Sequence, residues 1–529
     1  MSVQLPVVAN LVFAHLSEPG EPDPVDKASL IERVHSWRRI LSQDIYAMSG
    51  GAGQIEEISR AAQRFLCRAI ISQMLVSKGI LPAECSMLGT RCWVDKASLL
   101  EKVPEGLYEP YPTSSIRKVQ EDIARTDLSR FPFEILSDIH ESYLTRKLIV
   151  NSKGELEHLP AGGLRKRKGI YYTPRYIVRY IVDRTLGRYL WGTESGRPER
   201  NTTLKKPEDI RDPGPSSHSA IRDLRILDPA CGSGSFLAYV FDVLAEFYAL
   251  QSPDNGTDWP SVILENHLYG TDMDGDAVDI TRAILTLKAL ERRAKSQESR
   301  ARTNATRRHG DETVGGVSPC PLVSLSPPPF QAICPNIRQG NFLISSASAH
   351  RDLETYREPQ RRGRTENDTE GNYLIPPCLR VPMVPCDRET DMPEVTDSEG
   401  FAMILGNPPY GAKFTKTERE RIKADYETHR SSDSSSLFVE KAVRTLRDKG
   451  LLGFIVPKSL SYVVSWQTIR EFLLNQCRIL EIADAMKAFS DVRLEQMVII
   501  AQKRAKKEDT RHQTSDMRRE TQESEVSGL

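Results

Sequence analysis

Paired metal and redox ligands are missing from this chain. None of its nine cysteines (67, 85, 92, 231, 320, 334, 378, 386 and 477) sits at C-x-x-C spacing, and no histidine pair falls at zinc-finger spacing. That excludes a disulfide scaffold and a structural zinc site of the usual kind. An excess charge is missing too: 72 Lys+Arg stand against 72 Asp+Glu, so a nucleic-acid partner must be met by a local patch. No stretch approaches the roughly 18 continuous apolar residues of a membrane span. The N-terminus, MSVQLPVVANLVFAHLSEPGEP, lacks the basic flank and cleavage site of a secretory signal. With 32 Gly and 33 Pro in 529 residues, a collagen-like or wholly disordered chain is excluded. The expectation is a cytoplasmic, reduced protein with no metal and no membrane partner, of about three domains.

Residues 1–150 read as a mostly helical domain. Leu30, Val34, Trp37, Leu41 and Ile45 recur at helical steps, as do Ile55, Ile58, Ala62, Phe65 and Ala69, with Gly79 placed to stop the second run. A third helix is expected near Phe133–Leu144, and all three look like core packing. Beyond about Ile170 the pattern becomes strand–helix alternation, which predicts an α/β, doubly wound, mostly parallel sheet. Expected strands are 224–227, 268–271, 401–405, 451–456, 479–483 and 497–501, with helices near 236–250, 276–292, 437–448 and 466–474. Polar, Arg/Ser/Pro-rich stretches near 293–330 and 346–396 read as disordered insertions, and 504–529 as a charged disordered tail.

Three polar motifs each follow an apolar strand, where open α/β sheets bind ligands. The first is Asp228-Pro229-Ala230-Cys231-Gly232-Ser233-Gly234. Its glycines allow close backbone approach to a ligand, and its acid can take an ammonium. It matches neither G-x-G-x-x-G nor a P-loop, which disfavours dinucleotide and nucleoside triphosphate sites. The second is Asp272, an acid able to accept both hydroxyls of a ribose. The third is Asn407-Pro408-Pro409-Tyr410: a stiff turn whose Asn oxygen and neighbouring carbonyl match the two hydrogens of an exocyclic amine, beside a flat aromatic face.

In this order the motifs resemble the gamma-class DNA adenine-N6 methyltransferases, especially the methylase part of type IIG restriction–modification enzymes. The resemblance covers roughly residues 130–502. It implies a Rossmann-like sheet for S-adenosyl-L-methionine over a core of 165–503. Tyr172, Thr173 and Pro174 resemble the N-terminal cofactor-contacting motif. Asp228, Ala230, Gly232 and Gly234 resemble the loop around the methionine part, and Asp272 the ribose acid. Asn341 and Phe342 resemble the block at the cofactor's adenine, with Asn341 where many members carry Asp, so that a side-chain carbonyl is expected to meet the adenine amine. Phe438 is expected near the same ring. Asn407, Pro408, Pro409 and Tyr410 resemble the catalytic tetrapeptide, and Phe489 is placed like the aromatic that sandwiches a flipped base with Tyr410.

The tetrapeptide alone also occurs in amino-methyltransferases of protein glutamine and ribosomal RNA, and those readings stay open beside a catalytically inactive remnant. Direct transfer needs no covalent nucleophile, so Pro319-Cys320, Pro377-Cys378 and Pro385-Cys386 read as incidental and Cys231 as a packing residue. No Asp/Glu-x-Lys triplet occurs, and no DNA cleavage by this chain is expected. Neither is a target-recognition domain legible, which implies a separate specificity subunit or domain for the DNA partner. Basic stretches 164–168 and 291–308 are candidates for phosphate contact.

Overall fold

The computed structural model describes residues 9–10, 23–48, 55–81, 114–160, 173–192, 221, 223–251, 258–307, 334–343, 400–412, 414–430, 433–486 and 495–505. Ala9–Asn10 (β1) lies at the sheet edge. The expected N-terminal helices are present as α1 (Pro24–Met48), α2 (Ile55–Ser77), α3 (Ser114–Ala124) and α4 (Ile135–Thr145). A hairpin not foreseen from the sequence follows: β2 (Arg146–Val150) pairs antiparallel with β3 (Leu156–Pro160). Its turn is closed by Asn151, whose Oδ1 accepts from the N–H groups of Lys153 and Glu155.

These helices do not bury their apolar stripes among themselves alone. The cluster that holds Val34, Leu41, Phe65, Ile70 and Ile139 also contains Ala238, Ile280, Ala283, Ile284, Leu287 and Leu290. The latter belong to two helices of the sheet layer, α6 (Ser235–Gln251) and α7 (Gly275–Arg307). An ion cluster crosses the same junction. Lys288 Nζ lies 2.6 Å from Glu134 Oε1 and 2.8 Å from Asp242 Oδ2, with the lysine 8% exposed. The two carboxylates hold the ammonium firmly charged. Lys288→Met would leave both acids without it, a loss of roughly 3 kcal/mol for breaking a buried pair. The expected result is a melting temperature lower by about 3 °C in a circular-dichroism melt. An unchanged melt would show that the cluster contributes nothing.

Among the described residues the main sheet has eight strands in the order β6 (Ile337–Gln339), β5 (Leu268–Asp272), β4 (Ile226–Asp228), β7 (Phe401–Gly406), β8 (Leu446–Pro457), β10 (Gln496–Lys503), β9 (Cys477–Met486) and β1, which is parallel to β9 at the edge. Only β10 runs antiparallel to its neighbours. Alternate residues feed two cores, as strand pleating requires. Met403, Leu405, Val498 and Ile500 face α5 (Arg175–Val182) and α6. Ile404, Met497, Ile499 and Ala501 face α9 (Ser434–Thr445) and α10 (Gln467–Gln476). The doubly wound, mostly parallel sheet is therefore as expected. Between β7 and α9, the short helix α8 (Lys416–Asp425) is started by a capping box of Thr415 and Glu418.

Two sequence expectations need correction. The helix over 276–292 runs on to Arg307, into the stretch read as a disordered insertion. Arg, Lys, Ala, Glu and Gln are good helix formers, and the apolar stripe up to Leu290 anchors the segment, so polarity did not mean a loop. The helix expected to Asp448 ends at Thr445, because Leu446–Asp448 already belong to β8, where Leu446 pairs with Phe401. Residues 308–330, the insertion near 346–396 and the tail from 506 lie outside the described residues.

His35 on α1 and His158 on β3 stack edge-on at 5.5 Å, with Tyr143 on the other side of His35 at 6.0 Å. Burial, together with Arg146 and Arg38, pushes both imidazoles down to about 4, against a partial opposing pull from Glu32; Arg39 adds to the effect on His158. The folded protein thus refuses protons that the unfolded chain accepts near pH 6.5. The associated stability is complete above that pH and is lost as the pH falls from about 6.5 toward 4. Melts at pH 7 and pH 5 are expected to show acid destabilisation, largely removed in the His35→Gln, His158→Gln double variant. Equal pH dependence in both proteins would refute the assignment.

Candidate functional site

The three motifs lie at the C-terminal ends of three adjacent strands, β5, β4 and β7. After β4 the chain turns through Gly232 (φ 50°) and Gly234 (φ 89°), conformations that side chains resist. The loop is tied at several points. Cys231 N donates to Thr271 O at 3.0 Å, Gly232 N to Asp272 Oδ2 at 2.9 Å, and Thr281 Oγ1 to Gly232 O at 2.8 Å. A Cβ on Gly234 would stand 2.9 Å from Thr281, whereas one on Gly232 would meet nothing within 4 Å. The loop therefore has a packed side and an open side.

Asp228 ends β4 with 1% exposure, its Oδ1 accepting from Ala230 N at 3.2 Å. Burial pushes its carboxyl up to about 8, and Asp272 adds to the rise. Burial also raises Asp272, opposed by hydrogen bonds from Asp274 N and Gly232 N. Two poorly solvated acids beside an open glycine suit a ligand carrying a positive charge and hydroxyls. Cys231 is buried, and its thiol lies well above the usual range, as befits a packing residue.

Beyond Asp272, the segment after β6 carries Asn341, Phe342 and Leu343. Phe342 stacks on Phe438 of α9, centroids 5.6 Å apart and tilted by 31°, and Lys441 Nζ lies 5.1 Å from the Phe342 ring. Burial lowers that lysine to about 8. Asn341 Oδ1, expected to face a ligand amine, accepts from Leu343 N at 3.0 Å. An Asn oxygen has two acceptor positions, and one is spent on shaping this turn.

At the end of β7, Asn407 Nδ2 donates to Thr173 Oγ1 at 3.0 Å, and Tyr410 O–H donates to Asn407 Oδ1 at 2.5 Å, with Ile455 O at 3.1 Å. Thr173 is 6% exposed and precedes Pro174, which caps α5. The expectation that Tyr410 presents a flat face for stacking is not what the structure shows. The ring is 6% exposed and packs into the core beneath the sheet end. Its hydroxyl holds the amide because Pro408 and Pro409 turn the chain back toward β8. Pro408 is buried and Pro409 half-buried. Tyr172 and Phe489 lie outside the described residues.

Sequence reasoning saw only core packing in α4, yet this helix reaches the loop. Ser137 and Ser233 hydroxyls hydrogen-bond, and Ser233 Oγ is 3.4 Å from Glu141 Oε1. The i, i+4 spacing of Ser137 and Glu141 on one helix face was the available signal. Among the described residues no cluster of three or more His, Cys, Asp or Glu could hold a metal ion, and no helix is long and apolar enough to cross a membrane.

Residues 266–490 match the family model described as Eco57I restriction-modification methylase. The type II restriction enzyme and methyltransferase RM.Eco57I of Escherichia coli is 24% identical over 397 residues, which cover 71% of this chain and 30% of that protein. The adenine-specific methyltransferase BrxX of Escherichia coli O9:H4 (strain HS) is 26% identical over 208 residues, 37% of this chain and 16% of that one. This chain thus spans less than a third of either relative. The solved type IIL restriction-modification enzyme MmeI, in complex with DNA, superposes with a TM-score of 0.53 at 14% identity, over 92% of this chain and 58% of that one. The chain thus shares the fold of MmeI, and its residues 266–490 are similar to the Eco57I restriction-modification methylases.

Proposed function

We propose that this chain is a gamma-class DNA methyltransferase acting on the N6 amine of adenine. It would serve a restriction–modification or related defence system, with S-adenosyl-L-methionine as methyl donor. One observation carries the reading. The hydrogen-bonded run Thr173–Asn407–Tyr410 stands at the end of β7, on the strand next to the buried acid Asp228 and its open glycine loop. Similarity to a restriction enzyme and methyltransferase and to an adenine-specific methyltransferase supports DNA adenine as substrate.

In this reading Asp228, Ala230, Gly232 and Gly234 would hold the methionine end, together with Tyr172, Thr173 and Pro174. Asp272 would hold the ribose, and Asn341, Phe342 and Phe438 the cofactor's adenine. When bound, the cofactor supplies an electrophilic methyl group on a sulfonium. The protein's part is to bind the target amine and aim it. Asn407 Oδ1 and the Pro408 carbonyl accept its two hydrogens, which withdraws the nitrogen lone pair from the ring. Pro409 stiffens the turn. Positioning of this kind supplies much of the acceleration of a direct displacement.

The target base must leave the duplex, at a cost of a few kcal/mol. Stacking on Phe489, and on Tyr410 once its ring leaves the core, would offset this by roughly 1–3 kcal/mol per base. Tyr410 must release Asn407 Oδ1 to do so, which couples base entry to exposure of the amine's acceptor. Residues 1–150 form a helical unit and 165–503 the methyltransferase core, and recognition of a DNA sequence falls to a further domain or subunit. The test is mass spectrometry of N6-methyladenine in DNA from methylation-free cells expressing the chain, alone and with candidate neighbouring subunits. Methylated adenine establishes the reaction. Its absence under both conditions, from protein that binds S-adenosylhomocysteine, would overturn it.

A further inference from the structure

The N-terminal helical unit meets the loop that follows β4 through its helix α4. Ser233, between the two left-handed glycines, is held from α4 by both Ser137 and Glu141. The same helix carries Asp138, paired with Lys27 Nζ at 2.6 Å through Oδ1. Its Oδ2 is buried without a partner in a side chain 8% exposed. Arg175, which opens α5 just after Thr173-Pro174, acts electrostatically on Asp138 and Glu134. Two residues on from Asp138, His140 lies in the field of Asp274, Asp276 and Asp272, on the ribose side of the loop. Helix α4 thus reaches along the loop from the side of Asp272 to that of Arg175.

This position has a chemical consequence. The amino-acid end of the proposed cofactor carries an ammonium and a carboxylate. Asp228 lies beneath the loop, fully enclosed, while Glu141 is half-buried at its rim. A glutamate accepting from Ser233 Oγ through one oxygen is fixed against the loop that this end must meet. A carboxylate held there is matched to a cation, and charge-assisted hydrogen bonds of this type are the strong ones.

We propose that α4 forms a wall of the cofactor site and that Glu141 receives the ammonium group of the cofactor's amino-acid end. The proposal rests on the methyltransferase reading. It gives the helical unit a part in binding the methyl donor.

The test compares two ligands by calorimetry on the full chain. S-adenosylhomocysteine carries the amino-acid end, and 5′-methylthioadenosine lacks it. In Glu141→Gln, S-adenosylhomocysteine should bind about tenfold more weakly or worse, while 5′-methylthioadenosine binds as in the parent protein. Retained methylthioadenosine binding also shows that the variant folds. Unchanged affinity for both ligands would overturn the proposal, and so would an equal loss of both, since Glu141 would then only support the loop. If the parent protein binds neither ligand, the methyltransferase reading falls and this proposal with it.

Discussion

Asn407→Ala is expected to lower methyl transfer by about a hundred- to a thousandfold while leaving S-adenosylhomocysteine binding near that of the parent protein. The amide joins two elements: its nitrogen donates to Thr173, and its oxygen accepts from Tyr410. Under the proposed mechanism that oxygen is the acceptor that localises the amine's lone pair. Removing one preorganised hydrogen-bonding group from a reacting centre typically costs this much. Under the proposed function most of the cofactor's contacts lie on Asp228, Asp272 and the glycine loop, so losing the Asn407–Thr173 hydrogen bond costs its affinity little. Single-turnover assays of N6-methyladenine, run beside calorimetry, separate the two effects. Loss of cofactor binding together with activity would mean that Asn407 holds the fold of the site and not the substrate.

Gly406→Ala should show the opposite division. Gly406 closes β7 immediately before the tetrapeptide, and a Cβ there would stand 2.6 Å from Asp228 Oδ1 and 3.3 Å from its carboxyl carbon. Asp228 cannot yield freely, because it is buried and bound to Ala230 N. The added methyl must push the carboxyl off that N–H or push β7 away from β4. Overpacking of this kind costs about 1–3 kcal/mol. If the cost falls on Asp228 and the glycine loop, S-adenosylhomocysteine affinity drops roughly 10- to 100-fold. Calorimetry would detect the change, and an affinity within twofold of the parent protein would show that the strands part without disturbing the acid.

Much of this architecture was legible beforehand because buried parallel strands are short apolar runs, and the motifs stand where such runs stop. Phe401–Gly406, followed by a polar turn rich in proline, reads as a strand end without further information. Other features gave no such signal. Strand β6 is only Ile-Arg-Gln, too short for any periodicity. The stripe Ile280, Ile284, Leu287 announces a buried face, yet nothing in it says that the partner is α2 and α4.

Side-chain direction was the hardest to foresee. Tyr410 next to two prolines suggests an exposed ring, and only the three-dimensional path shows it folded onto Ile455 with its hydroxyl on Asn407. The role of Ser137 and Glu141 was hidden for the same reason, since their target lies 92 or more residues away along the chain.

The antiparallel strand β10 is the last described strand in the chain, yet it lies inside the sheet, between β8 and β9. Val498 pairs with Ile455 on one side and Ala483 on the other. During synthesis, β4 through β8 can emerge and pair in order while β8 still presents an open edge. That edge closes only once residue 503 has cleared the ribosome. Until then the chain exposes the unpaired backbone that favours association with other strands, so the nascent chain most needs protection in the interval between the emergence of β8 and that of β10.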